Sequence, residues 1–229
     1  MRGSPSPGAA SVAHPTAAAV DAVRLAVFAA ALLPLARLFW LGFNDGLGAN
    51  PVEFVTRSTG TWTLVMLCLT LSVTPLRRLL GWAWLLRLRR MLGLYAFFYG
   101  CLHFATYIWL DQWFDVPAML ADIVKRPFIT AGFAAFVLML PLAATSTKAM
   151  MRRLGRRWQT LHRLVYAVAC LGVLHYAWHK GGKNDLSEPL VYAVVVAVLL
   201  GARLLLRGRA SGRGQSVVGR VSSGARKDG

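Results

Sequence analysis

Six apolar stretches divide this 229-residue chain, near residues 22–43, 59–76, 91–110, 127–146, 158–179 and 189–207. Each reaches or approaches the roughly 20 residues needed to cross the hydrocarbon of a bilayer. Lipid offers no hydrogen-bonding partner to a bare backbone, so a chain of this kind satisfies its peptide groups within helices. The fold expected is all-α, an integral membrane bundle of six transmembrane helices. Residues 1–20 carry no apolar region of their own and are expected as a disordered leader, with the first apolar run retained as an anchor. The domain proper then runs over 21–207, and a Gly-, Ser- and Arg-rich tail over 208–229 is expected to be disordered.

The net charge of +17 would suit nucleic acid if it were spread over one soluble face. It is instead clustered. Arg77, Arg78, Arg87, Arg89 and Arg90 fill one connection; Lys148, Arg152, Arg153, Arg156 and Arg157 fill another; more arginines follow the last span. In a six-span topology all of these fall on one side. Asp45, Glu53, Asp111, Asp115, Asp122, Asp185 and Glu188 fall on the other. Positive charge stays in the cytoplasm. Both termini are therefore expected there, in a bacterial inner (plasma) membrane, with anionic lipid rather than nucleic acid against the basic loops.

Ionisable groups inside a membrane are costly and mark function. His103 lies in RRMLGLYAFFYGCLHFATYIWL, and His162 and His175 in WQTLHRLVYAVACLGVLHYAWH. The third and fifth spans run the same way, so His103 and His175 both reach the outer half at similar depth. Neutral imidazole is a common iron ligand, and two such rings on neighbouring helices suggest a haem between them. Gly93, Ala96 and Gly100 share the His103 face, and Gly172 sits three residues before His175. Small residues there leave room for a flat ring, or allow close helix contact.

His162 precedes His175 by 13 residues, about 20 Å along a helix with the two rings about 140° apart. It has no histidine counterpart on the third span. A second haem, a quinone or a place at the interface all remain open for it. His179 is expected as a solvated loop-edge residue, and His14 has no assigned role.

Other polar residues mark the outer side. Arg37 either snorkels to the surface or clamps a haem propionate. Arg57, Ser58 and Thr59 precede the second span, and Arg126 precedes the fourth. A helix start with such groups either caps itself or holds an anion: a propionate, a flavin phosphate or a partner protein. Cys68, Cys101 and Cys170 are expected as small buried hydrophobes, and Trp158 as part of an interfacial belt. There is no CxxCH for covalent haem, no nucleotide-binding glycine motif and no evident internal repeat.

Taken together, GANPVEFVTRSTGTWTL, RRMLGLYAFFYGCLHFATYIWLDQ, DIVKRPFITAGF and TSTKAMMRRLGRRWQTLHRLVYAVACLGVLHYAWH resemble the ferric-reductase-like transmembrane family over roughly residues 44–180. More narrowly the segments resemble its MsrQ (YedZ) branch, the haem-binding membrane subunits of periplasmic methionine sulfoxide reductase systems. That resemblance implies haem b, one or two per chain, with His103, His162 and His175 as ligands. It also implies FMN, electrons from the quinone pool, and a periplasmic molybdopterin-containing methionine sulfoxide reductase as partner. The leading expectation is an electron-transfer subunit without a complete catalytic site. A self-contained ferric or oxygen reductase would need a flavin and nicotinamide domain, on the order of 100 residues, for which the loops and tail leave no room. A non-redox transporter would make the histidines proton or substrate sites.

Overall fold

The computed structural model describes residues 15–182 and 185–224, with side chains to 206. It is helical throughout the described residues. The helices are α1 (Ala17–Phe43), α2 (Pro51–Leu80), α3 (Leu86–Thr106), α4 (Val116–Lys125), α5 (Pro127–Ala144), α6 (Lys148–Leu154), α7 (Arg156–Leu161), α8 (Leu164–Gly181) and α9 (Ser187–Gly224). A 3₁₀ turn, Ala83–Leu85, leads into α3, and a π turn, Tyr107–Asp111, widens its end.

Local chemistry sets these boundaries. Thr16 caps α1 by accepting from the Ala19 N–H at 3.2 Å. Asn50 caps α2 by accepting from the Glu53 N–H at 3.1 Å, with Pro51 in the first turn. Gly81 ends α2 at a φ of 73°, a left-handed conformation that suits glycine. α2 therefore starts ahead of the apolar run at 59–76. The TRSTG segment, expected before a helix start, is wound into the helix body.

Among the described residues, five segments are long and apolar enough to cross a membrane: Ala17–Phe43, Pro51–Leu80, Ala83–Asp111, Pro127–Ala144 and Ser187–Leu206. This makes the chain a multi-pass membrane protein. The fifth expected span differs. The run 158–179 is split by a turn at His162 and Arg163 into α7 and α8, and α8 carries His175, His179 and Lys180 in its last turns.

The core is a ring of four helices. α2 packs most extensively on α3, and α5 on α8, while α3 meets α5 and α2 meets α8. α9 lies against α2 and α8, and α1 leans on α3. Buried apolar residues fill the centre, among them Leu71, Tyr99, Val168 and Ala169. The hydroxyls of Tyr95 and Tyr99 donate to the α1 carbonyls of Phe28 and Ala31 at 3.1 and 2.7 Å.

One polar tie crosses the bundle. Pro75 has no N–H, so the Leu71 carbonyl one turn earlier loses its helical partner. The Arg203 guanidinium on α9 replaces it, donating to that carbonyl through Nε at 3.1 Å and Nη2 at 2.7 Å. Its Nη1 donates to the Tyr166 hydroxyl at 3.2 Å. Cys68 is buried and Cys101 partly so, but Cys170 lies exposed on α8.

Candidate functional site

The four ring helices enclose a cavity of about 650 Å³. α2 runs from its mouth toward Arg77 and Arg78, and α3 returns from Arg87 to the mouth. The cavity therefore opens at the end away from the basic connections. Leu67, Phe136 and Met139 lie among its apolar walls; Glu53, Arg57, Asp111 and Arg126 are among its polar lining residues.

His103 and His175 face each other in it, ring centroids 6.0 Å apart with planes at 70°. Each ring is held from behind in the same way. His103 Nδ1 lies 2.9 Å from the Thr56 carbonyl, and His175 Nδ1 lies 2.7 Å from the Phe128 carbonyl. A carbonyl only accepts, so each Nδ1 carries the proton and donates. Each Nε2 keeps its lone pair, the state needed to bind a metal.

Glycine makes room for both rings. A Cβ on Gly60 would stand 3.0 Å from His103 Cε1, and one on Gly132 would stand 2.7 Å from His175 Nδ1. Thr56, Gly60, Gly100 and His103 correspond to Phe128, Gly132, Gly172 and His175, each 72 residues later. The α2–α3 pair and the α5–α8 pair thus repeat one device, an internal repeat that inspection of the sequence does not reveal.

This donor set fits a haem iron. No group of three or more His, Cys, Asp or Glu able to hold a bare metal ion occurs among the described residues. The two imidazoles would hold such an iron from the protein side, and the porphyrin itself would bring the other donors. The 6.0 Å between the ring centroids leaves room for a metal that both imidazoles would hold. The cavity volume lies in the range of cofactor sites.

The ferric reductase like transmembrane component family matches residues 57–173. The protein-methionine-sulfoxide reductase heme-binding subunit MsrQ of Ralstonia nicotianae is 63% identical over 201 residues, covering 87% of this chain and 93% of that protein. Its counterparts in Herminiimonas arsenicoxydans and Bordetella pertussis are 59% and 62% identical, covering 83% and 82% of this chain and 88% and 92% of theirs. The chain belongs to the MsrQ family. No solved structure matches it.

Within this MsrQ-family bundle the sequence-derived candidates separate. Arg57 and Arg126 line the cavity, paired with Glu53 at 3.3 Å and Asp122 at 3.2 Å. Arg37, Ser58 and Thr59 do not line it. Arg37 rests over the Phe54 ring at 5.9 Å. The Thr59 hydroxyl donates within α2, to the Val55 and Thr56 carbonyls at 2.9 and 3.0 Å. Gly100 and Gly172 line the cavity, whereas Gly93 packs on Thr70 of α2.

His162 stands apart, in the turn between α7 and α8. The Thr145 hydroxyl donates to the Pro141 carbonyl at 2.6 Å, so it accepts from His162 Nε2 at 3.1 Å. Its tautomer is thus the reverse of the other two. Trp158, expected only as an interfacial residue, stacks on that ring at 4.0 Å and donates to the Thr145 carbonyl.

Three groups escaped the sequence reading. Gly60 and Gly132 are legible only once their spacing of 43 residues to His103 and to His175 is compared. His179 is not a solvated loop residue: it lines the cavity and its ring lies 5.8 Å from Phe128. Lys180, only 5% exposed, pairs with Asp185 at 2.7 Å and Glu188 at 3.4 Å, and Glu188 also accepts from the Tyr176 hydroxyl.

Proposed function

We propose that this chain is the haem b electron-transfer subunit of a periplasmic methionine sulfoxide reductase system. It carries electrons from the quinone pool, or from reduced flavin such as FMN, across the inner membrane to a molybdopterin-containing reductase that repairs oxidised proteins. The observation that carries the reading is the facing pair His103 and His175, each with its Nδ1 proton fixed by a backbone carbonyl. The relatives' names, heme-binding subunits of a protein-methionine-sulfoxide reductase, agree with it.

Bound haem supplies reversible one-electron chemistry at its iron. The chain's residues do the rest. His103 and His175 hold the iron through Nε2, and the carbonyls of Thr56 and Phe128 orient the rings and raise their basicity. Gly60 and Gly132 let α2 and α5 close on the ring edges. Phe104, Phe133 and Phe136 exclude water from the apolar walls, which sets the dielectric that tunes the potential. Arg57 and Arg126 at the mouth receive the propionates. The mouth faces the acidic, periplasmic side of a six-span topology with both termini in the cytoplasm, where a soluble acceptor docks.

The test is an absorption spectrum of the detergent-purified full chain, oxidised and dithionite-reduced, with a pyridine haemochrome assay. A low-spin b-type spectrum is expected, and His103→Ala or His175→Ala abolishes it while the protein still inserts. A folded, haem-supplied preparation without a Soret band overturns the reading. The haem-to-protein ratio of wild type against His162→Ala decides the inner side. A fall from two to one assigns His162 a second haem, and an unchanged ratio leaves it bound to Thr145.

A further inference from the structure

Among the described residues, four buried side-chain polar atoms have no hydrogen-bond partner: Thr56 Oγ1, Thr74 Oγ1, Arg77 Nε and Tyr107 Oη. Such atoms are rare because a buried polar group is costly unless something satisfies it. Thr56 and Tyr107 both line the cavity. Tyr107 is the more informative, because a phenol is a strong donor with few local alternatives.

Tyr107 sits one turn beyond His103, where α3 widens into its π turn, and its backbone N–H still bonds the carbonyls of His103 and Phe104. Its ring lies against that of Phe104, centroids 6.5 Å apart, and both residues line the cavity. The Tyr107 carbonyl accepts from the Gln112 N–H at 3.0 Å, and the Gln112 side chain reaches the Asp122–Arg126 pair. Asp122 is already engaged: one oxygen accepts from Arg126 Nε at 3.2 Å and the other from Gln112 at 3.3 Å. Arg126 still has its Nη donors to offer, since a guanidinium carries five N–H groups. The cavity lining thus includes a residue with an unused, buried phenol and one with a partly used guanidinium, both donors.

We infer that Tyr107 donates its hydroxyl proton to a carboxylate of the bound porphyrin, sharing that carboxylate with Arg126. The inference rests on the haem reading above and adds a binding residue to it. Tyr107 differs in this from Tyr176, whose hydroxyl already donates to Glu188. Hydrogen bonding near a haem sets its potential. A carboxylate that accepts from Tyr107 carries less effective negative charge toward the iron, so the reduced state is favoured.

Tyr107→Phe tests this in the full-length, detergent-purified protein loaded either with haem or with haem dimethyl ester, which lacks free carboxylates. With haem, the variant should keep the bis-imidazole spectrum but show a lower midpoint potential. With the dimethyl ester, variant and wild type should coincide. Thermal melting provides a second readout that a purely structural role would not give. Without haem, Tyr107→Phe melts at or above the wild-type temperature, because it deletes an unpartnered hydroxyl. With haem it gains less stabilisation than wild type does. Equal potentials and equal haem-induced stabilisation overturn the inference, as does a potential difference that persists unchanged with the dimethyl ester. A wild-type protein that binds no haem overturns the underlying reading instead.

Discussion

Gly132 has no room for a side chain. A Cβ there would meet His175 Nδ1 at 2.7 Å, the nitrogen that donates to Phe128. In an ordinary helix Gly→Ala gains about 1 kcal/mol of propensity. Here overpacking of about 1–3 kcal/mol opposes it, and the ring cannot retreat without losing its carbonyl. Gly132→Ala should therefore cost most of the haem, measured as Soret absorbance per protein. Gly60→Ala, whose contacts are 3.0 and 3.1 Å, should cost less. A Gly132→Ala protein with a wild-type spectrum would show that the imidazole does not need its present seat. His103 and His175 were legible in the sequence because an ionisable residue stands out in an apolar run. Gly60 and Gly132 were not, because a glycine within such a run gives no sign of what crosses it. Of the small residues that drew notice, Gly100 and Gly172 do line the cavity, whereas Gly93 packs on Thr70 of α2.

At the scale of elements, apolar length located the helices but not their ends. α2 begins at Pro51 because Asn50 and Pro51 nucleate it, although the polar residues that follow lower the hydropathy. The reverse holds for α8, where a continuous apolar signal hides the turn at His162. The tie between α2 and α9 was also hidden, since Pro75 and Arg203 are far apart in sequence. It predicts a coupled pair of effects. Arg203→Leu strands the Leu71 carbonyl and should lower stability by about 1–3 kcal/mol. In a Pro75→Ala background the carbonyl regains a helical N–H, so the same substitution should cost less. Denaturant titration of the four proteins in detergent gives the coupling, and simple additivity would refute it. The α8–α9 junction carries a pH signature. The Lys180 ammonium, then the Ser187 hydroxyl, hold the Asp185 carboxyl down to about 2 from its usual 3.8. A depressed carboxylate contributes stability above its unfolded pKa and loses it as pH falls through the folded one. The melting difference between wild type and Asp185→Asn should be constant above 3.8 and disappear toward about 2. A difference that collapses near neutrality would contradict this assignment.

For the whole molecule the question is which way the cavity faces, and it depends on whether α8 crosses the membrane. Among the described residues, five segments qualify as spans by length and apolarity alone. α8 is less apolar, with His175, His179 and Lys180 crowding its C-terminal end. Those groups are not left to lipid: His175 and His179 face the cavity, and Lys180 is paired with Asp185 and Glu188. A helix whose polar residues are satisfied inside the bundle can span with fewer apolar residues. With α8 crossing, the basic connections at Arg77–Arg90 and Lys148–Arg157 share one side and the cavity mouth opens on the other. Single cysteines in a chain lacking Cys68, Cys101 and Cys170 test this with an impermeant thiol reagent on intact spheroplasts. Val124→Cys on α4 and Leu186→Cys before α9 should label from outside, and Met151→Cys on α6 only after permeabilisation. Labelling of Met151→Cys and Leu186→Cys from the same side would mean that α8 does not cross. Labelling of Met151→Cys alone from outside would turn the mouth toward the cytoplasm. His103 and His175 would then lie beyond reach of a periplasmic acceptor, and the proposed direction of electron flow would fail even if haem is bound as described.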